Sequence, residues 1–261
     1  MCVIALLFQV HPELPLVVAA NRDEFYARRS SGPRALAEAP RVVGGQDLER
    51  GGTWMGFTPA GLFVGLTNQR TLGPPEPARR SRGEVVLEAL RAGSAAAVAD
   101  FVATLDGREY NPFNLVFGDA GSLHVAYGRE GEPVVRVEQL DTGVHVLGND
   151  TLGAPSWKTR HVADRIGPMV TRPWSELAPA LRSALADHAT PDDAEVPQPP
   201  PWMDRDTARR LQATCVHTAA YGTRSMTLAG IGPGAVAHYA FADGPPCVTE
   251  PVDETALLAP R

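Results

Sequence analysis

The sequence predicts an α+β fold in which antiparallel sheets are covered by helices, and three observations lead there. Short apolar runs rich in β-branched residues recur along the chain, separated by Gly, Pro and Asp turn signals that suit hairpins rather than crossovers. Helical periodicity falls in blocks between the clusters of strands instead of alternating with single strands, which argues against a parallel βαβ sheet. The length of 261 residues is enough to bury a sizeable core as one layered unit, so a single domain over residues 1–261 is expected.

Taken in order, Met1 to Phe8 and Leu16 to Glu24 are apolar runs of strand length joined by the His11-Pro12-Glu13-Leu14-Pro15 turn signal, an expected antiparallel pair. Residues 27–39 are polar and rich in Arg, Ser, Gly and Pro, and predict a long surface loop. After Gly44-Gly45 and Gly51-Gly52, a second hairpin is expected from Trp54–Thr58 and Leu62–Thr67 around Pro59-Ala60-Gly61. The Gly73–Pro77 linker leads into two helices, with Val85, Val86, Leu87 and Leu90 on the first and Val98, Phe101, Val102 and Leu105 on the second. Ser94 suits the N-cap of the second. Four strands near 113–118, 122–127, 133–138 and 143–147 predict a meander, followed by helices at 157–166 and 175–187 and an exposed, Pro-rich excursion at 190–206. Strands near 212–218, 224–230 and 235–242 close the chain, with Tyr221-Gly222-Thr223 as their central turn.

Composition narrows the function classes. A net charge of -6 argues against general nucleic-acid binding, and the 44% hydrophobic content with 21% charged residues is that of a soluble globular protein. The run from Val3 to Phe8 is too short for a membrane span and has no basic segment before it, so no integral membrane association and a cytoplasmic location are expected. The three cysteines, Cys2, Cys215 and Cys247, show no spacing that indicates a disulfide framework or a metal motif, and no cofactor is required by any motif. His217 beside Cys215 reads as a packing residue. Lys158 is the sole lysine, so positive charge is carried almost entirely by arginine.

Each of the first two runs ends in chemistry. Removal of Met1 would leave Cys2 with both a thiol and a free α-amine, and an amine of pKa about 7.7–8.0 can serve as general base for a thiol of pKa about 8.5. The second run ends in Asn21-Arg22-Asp23-Glu24, and a hairpin returns that end to the start of the first strand. Alternation along the strand predicts that Asn21 and Asp23 share the face beside Cys2 while Arg22 points away, to a salt bridge with a helix or with Glu24. A buried thiol serving only as a small apolar group is the plainer reading of Cys2 on its own.

The motifs Met-Cys-Val-Ile at the start, Ala19-Ala20-Asn21-Arg22-Asp23-Glu24-Phe25-Tyr26 and Gly51-Gly52-Thr53-Trp54-Met55-Gly56 resemble those of the NRDE, or transport and Golgi organisation protein 2, family. So do Leu66-Thr67-Asn68, Arg82-Gly83-Glu84, Tyr110 to Leu115, Leu147-Gly148-Asn149, Trp157-Lys158 and Tyr221-Gly222-Thr223-Arg224-Ser225. The resemblance implies a four-layer αββα sandwich of the N-terminal-nucleophile hydrolase type, similar to penicillin V acylase and bile-salt hydrolase. It implies a catalytic set of Cys2, Asp23, Asn68, Asn149 and Arg224, with the two asparagines holding an oxyanion. Asn21, Arg22, Trp54 and Arg82 are the expected substrate-binding residues. One departure stands out: aligned on Asp23, the arginine of those hydrolases is replaced by Ala20.

Two functions compete on these residues. One is a cysteine amidohydrolase of a small N-acyl substrate. The other is a binder or carrier of haem or acyl-CoA and lipid in the same pocket, with haem as transported ligand rather than cofactor. Either way the expected partner is a small molecule, and the sequence leaves the oligomeric state open.

Overall fold

Residues Val3–Phe8 form β1 and Leu16–Phe25 form β2, an antiparallel pair in which Val3 lies opposite Asn21 and Ile4 opposite Ala20. The computed structural model describes residues 2–71 and 73–259. Beyond this pair run β3 (Ser30–Glu38), β4 (Arg41–Asp47), β5 (Met55–Phe57) and β6 (Phe63–Asn68), then helices α1 (Arg82–Arg91) and α2 (Ala95–Ala103). Strands β7 (Phe113–Gly118), β8 (Leu123–Gly128), β9 (Arg136–Gln139) and β10 (Gly143–Leu147) follow. Helices α3 (Trp157–Ile166), α4 (Trp174–Leu185) and α5 (Arg205–Arg210) precede β11 (Tyr221–Gly232), β12 (Ala235–Ala242) and the short β13 (Val252–Asp253).

Two antiparallel sheets result, one ordered β10-β1-β2-β11-β12-β13 and the other β3-β4-β5-β6-β7-β8-β9. Period-two alternation gives each sheet two apolar faces, and three separate cores fill them. Ile4, Leu6, Val18, Phe57, Phe63 and Val116 pack between the sheets. Val3, Ala5 and Val17 turn outward to Val162 of α3 and to Leu177 and Leu181 of α4. On the opposite side Leu115 and Phe117 meet Val86 and Leu90 of α1 and Val98 and Val102 of α2. The order is therefore helix, sheet, sheet, helix, the four-layer αββα arrangement. Ser94 caps α2 as expected, its hydroxyl accepting from the Ala97 amide at 3.2 Å.

Four local expectations are corrected. The span 27–39 is not all loop, because β3 runs through it as the edge strand of the second sheet, where Pro33 and bulges are tolerated. The meander ends at β9, and β10 crosses to the first sheet to pair with β1, Ile4 opposite Leu147. Residues 212–218 form no strand, only an isolated bridge between His217 and Gly222. Tyr221-Gly222-Thr223 is not a turn but the start of β11, paired with Phe25, Glu24 and Asp23 of β2.

Close backbone contacts explain the glycines of the Gly-Gly-Thr-Trp motif. A Cβ at Gly52 would come within 2.4 Å of the Gly83 carbonyl carbon, and the Thr53 amide donates to Gly83 O at 3.2 Å. That contact docks the start of α1 against the approach to β5. Gly52→Ala is expected to destabilise the protein by about 1–3 kcal/mol by overpacking against main chain. Gly73→Ala, where nothing lies within 4 Å of the added methyl, should stay within about 0.5 kcal/mol of the parent. Denaturant midpoints of the two variants compare them directly; equal midpoints would remove this docking role.

Candidate functional site

Extending the β1–β2 register by one pair places Cys2 opposite Arg22, so both side chains share the face that looks between the sheets. This inverts the expected face. Cys2, Ala20 and Arg22 line the interior, whereas Asn21 and Asp23 face the helices. A hairpin brings strand ends together but leaves the register free, and the register decides the face. Ala20 and Arg22 are two apart on one strand, so Arg22 puts its guanidinium on the face that Ala20 occupies.

Cys2, Arg22, Trp54, Leu66, Asn68 and Arg82 contribute to a pocket of about 320 Å³. The Arg22 guanidinium carbon lies 4.4 Å from the Trp54 ring centroid, and its Nη1 donates weakly to Ser30 Oγ at 3.4 Å. Arg82 donates to the Pro112 carbonyl at 3.0 Å. Neither arginine forms an ion pair among the described residues. Burial lowers the pKa of both, Arg82 to about 10, because a guanidinium out of water loses solvation that the charges of Glu24 and, for Arg22, Asp47 offset only in part. At the rim Asp47 is satisfied by Arg28, with 2.5 and 3.0 Å contacts. The Gly73–Pro77 linker is held over the pocket by Asn111, whose side chain bonds both the amide and the carbonyl of Glu76 at 2.8 and 2.9 Å.

The Cys2 thiol donates to the Asp23 carbonyl at 3.8 Å. Burial pushes its pKa up, against the opposing pull of nearby positive charge that includes Arg22. Asp23 is fully buried on the helix side, where its Oδ1 accepts from Thr223 Oγ1 at 2.7 Å and its Oδ2 lies 3.7 Å from Lys158 Nζ. Burial lowers the Lys158 pKa while Asp23 opposes that shift. Tyr221 adds a hydroxyl donated to the Asp23 carbonyl at 2.9 Å. Lys158, Tyr221 and Thr223 were not among the expected site residues. The signal available was that the only lysine of the chain sits in the Trp157-Lys158 motif.

The remaining expected residues divide. Asn68 ends β6 in the Cys2 pocket. Asn149 instead lines an adjoining hollow with Arg70, Asp150 and Lys158, and its amide donates to the Asn68 carbonyl at 2.5 Å. Asn21 borders a small hollow with Cys2, Arg22 and Trp54, but its side-chain amide turns to the helix side and is committed to the Leu185 and Thr214 carbonyls at 2.8 and 3.0 Å. Arg224 is also displaced. A bulge between Thr223 and Ser225 leaves it out of register with β2, and it donates to the Tyr26 carbonyl at 2.6 Å. The expected removal of Met1 concerns a residue outside those described.

With this geometry in hand, the sequence model of the Transport and Golgi organisation 2 family matches residues 1–233. The chain is 32% identical over 247 residues to the Mus musculus Transport and Golgi organization 2 homolog, covering 87% of each chain. It is 30% identical over the same length and coverage to the Homo sapiens homolog. Among solved structures it is similar to the Caenorhabditis elegans N-acylethanolamine-hydrolyzing acid amidase ortholog, with a TM-score of 0.52, 12% identity and coverage of 89% and 93% of the two chains. It is likewise similar to the C2A mutant of conjugated bile acid hydrolase from Clostridium perfringens, with a TM-score of 0.52, 13% identity and coverage of 100% and 95%. These distant likenesses show an N-terminal-nucleophile hydrolase fold.

The raised thiol pKa gives a pH test. In protein that keeps Met1, alkylation of Cys2 by a small reagent should still be climbing above pH of about 8.5, the ordinary thiol value. Arg22→Met should shift the profile further up, since a cation that favours the thiolate is lost. Cys215, fully buried and pushed up to about 12 by burial and the neighbouring Cys247, should label more slowly than the half-buried Cys2 when no metal is added, because the reagent cannot reach it. Peptide mapping against pH checks all three, and a Cys2 rate already level at neutral pH would contradict the burial effect.

Proposed function

The chain belongs to the Transport and Golgi organisation 2 family, and from that premise we propose that it is a cysteine N-terminal-nucleophile amidohydrolase of small N-acyl substrates that carry an anionic group. The observation that carries this reading is a thiol opposite one buried arginine and in one pocket with a second, neither of them ion-paired among the described residues. Unpaired guanidinium groups in a partly buried pocket are costly unless a ligand anion completes them. Carboxylate and phosphate both fit the planar donor fork of arginine.

In this reading removal of Met1 frees the Cys2 amine, which takes the thiol proton, and the sulfur attacks the amide carbonyl. Asp23, on the adjoining strand and pinned by Thr223 and Lys158, steadies the resulting ammonium. Asn68 donates to the oxyanion, and Asn149 braces Asn68 through its main-chain carbonyl. The ammonium returns its proton to the departing amine as the C–N bond breaks, leaving a thioester. Water then attacks that thioester with the same amine as base, releasing the acid and the thiol.

A second reading is binding without turnover, in which the pocket holds an anionic ligand such as haem or acyl-CoA. It is favoured by the commitment of Asn149 and Arg224 to main-chain carbonyls, which leaves fewer side-chain donors for an oxyanion.

Wild type, Cys2→Ala, Arg22→Met and Arg82→Met should be assayed side by side on N-acyl amino acids, the matching neutral N-acyl amides, acyl-CoA and haem, with intact mass recording whether Met1 is absent. The expected result is turnover that vanishes in Cys2→Ala. The arginine variants should lose about 10- to 100-fold in kcat/KM on the anionic substrate, the equivalent of about 1.5–3 kcal/mol for a hydrogen bond to a charged group, and far less on the neutral one. Full retention of Met1, or tight binding indifferent to the thiol with no turnover, would overturn the hydrolase in favour of the binder.

A further inference from the structure

Away from the Cys2 pocket, four side chains with soft or borderline donor atoms converge from three separate segments. They are His188 just after α4, Cys215 and His217 between α5 and β11, and Cys247 after β12, and one donor atom from each lies within 4.8 Å of all the others. Cys215 and His217 are two apart on an extended stretch, so their side chains leave on the same side. The Cys215 and Cys247 sulfurs are 3.6 Å apart, and His217 Nε2 lies 3.6 Å from the first and 3.3 Å from the second. The His188 and His217 rings approach to 5.2 Å between centroids.

The separations among Cys215, His217 and Cys247 are those of a coordination shell, with a His188 nitrogen within 4.8 Å of each. Zinc–sulfur bonds of about 2.3 Å and zinc–nitrogen bonds of about 2.0–2.1 Å, set tetrahedrally, space their ligand atoms about 3.3–3.8 Å apart. Thiol and imidazole hydrogen bonds span the same edges, so what points to a metal is the gathering of four such donors from three segments, with the cysteines free rather than bonded to each other. Charge also balances, since a divalent cation and two thiolates sum to zero around the buried Cys215.

The segments bearing the donors are tied together by hydrogen bonds and an ion pair. The Cys215 amide donates to Asp187 O at 2.9 Å, and His188 Nδ1 lies 3.0 Å from the Cys215 carbonyl. The loop carrying Cys247 is anchored to α4 through Arg182, which bonds Pro246 O at 3.2 Å and pairs with Glu250 at 2.6 Å. Such a set presents a closed shell of protein ligands, the pattern of structural rather than catalytic zinc.

We infer that His188, Cys215, His217 and Cys247 form a structural binding site for a zinc-like divalent transition metal ion. No short Cys or His spacing marks it beyond Cys215-x-His217, and His217 reads there as packing; its ligand role emerges only when the fold assembles the other segments. Ion binding would release the thiol protons to solvent and join α4, the 212–218 stretch and the loop after β12. The 212–218 stretch supports the nucleophile end of β2, because Thr214 O accepts from Asn21 and the Val216 amide donates to Thr223 Oγ1, which in turn donates to Asp23.

Cobalt(II) titration of reduced, metal-free protein tests the site, using the intense visible bands of tetrahedral cobalt thiolate. The expected result is saturation at about one cobalt per chain, displacement by zinc and an unchanged spectrum in Cys2→Ala. In Cys247→Ser and His217→Gln the bands should weaken and the apparent Kd should rise at least about 10-fold. Because Cys215 is buried and its loss endangers folding, the partly exposed Cys247 and exposed His217 carry the test, with circular dichroism confirming that each variant is folded. No thiolate bands, or bands unaffected by Cys247→Ser, would overturn the proposal.

Discussion

The pairing of β2 with β1 on one side and β11 on the other is the constraint on which the rest depends. A central strand must satisfy its ladder on both edges, and the two registers together fix where each of its side chains can go. Ala20 and Arg22 are sent between the sheets, and Asn21 and Asp23 are sent to the helices. The thiol inherits its surroundings from that division. One residue of slip would exchange the guanidinium beside Cys2 for a carboxylate and bury the arginine among the apolar side chains beneath α3 and α4.

Asp23 is where the two sides of the sheet meet. Its main-chain carbonyl accepts from the Cys2 thiol and the Tyr221 hydroxyl, while its carboxylate points the other way to Thr223 and Lys158. A buried ion pair of this kind contributes little net stability, because desolvation offsets the Coulomb gain, but losing one partner strands a charge. The pair therefore acts mainly to define one conformation at the strand end. Gly222 serves the same end, since a Cβ there would lie 2.3 Å from the Tyr26 hydroxyl and 2.5 Å from the Val216 carbonyl. The Tyr-Gly-Thr portion of that motif is thus a cradle for Asp23, and Arg224 belongs to its outer edge.

Much of the fold was legible because periodicity is a local property. The first hairpin, the helices with their apolar faces and the Ser94 cap follow from residues within one turn or one strand. What was not legible depends on contacts distant in sequence. Strand β10 looks like the next strand of a meander, and only packing against β1 decides its sheet. The 27–39 stretch lacks apolar alternation because an edge strand need bury little, so its composition imitates a loop. Around the candidate site, the motifs name Cys2, Trp54, Asn68 and Arg82, which line one pocket, but they carry no register to set the face of β2 and no sign of the bulge that takes Arg224 out of line.

The electrostatics around Cys2 set the terms for any chemistry. Burial disfavours the thiolate, and the neighbouring Arg22 only partly offsets it, so this cysteine is not activated by its field alone. A nucleophile in that position needs a base within reach, whereas a ligand-binding pocket needs none. The arginines pull the other way, because each carries a desolvation cost that nearby carboxylates offset only in part and that no ion pair among the described residues relieves. An anion entering the pocket would relieve that cost and, by its negative charge near the sulfur, raise the thiol pKa further. Binding and ionisation of Cys2 are thus opposed electrostatically. For an anionic substrate to react, the proton must leave the thiol for a group on the same residue rather than for solvent, which is why a free α-amine at Cys2, and not the surrounding charge, is the element that would separate an enzyme from a carrier on this scaffold.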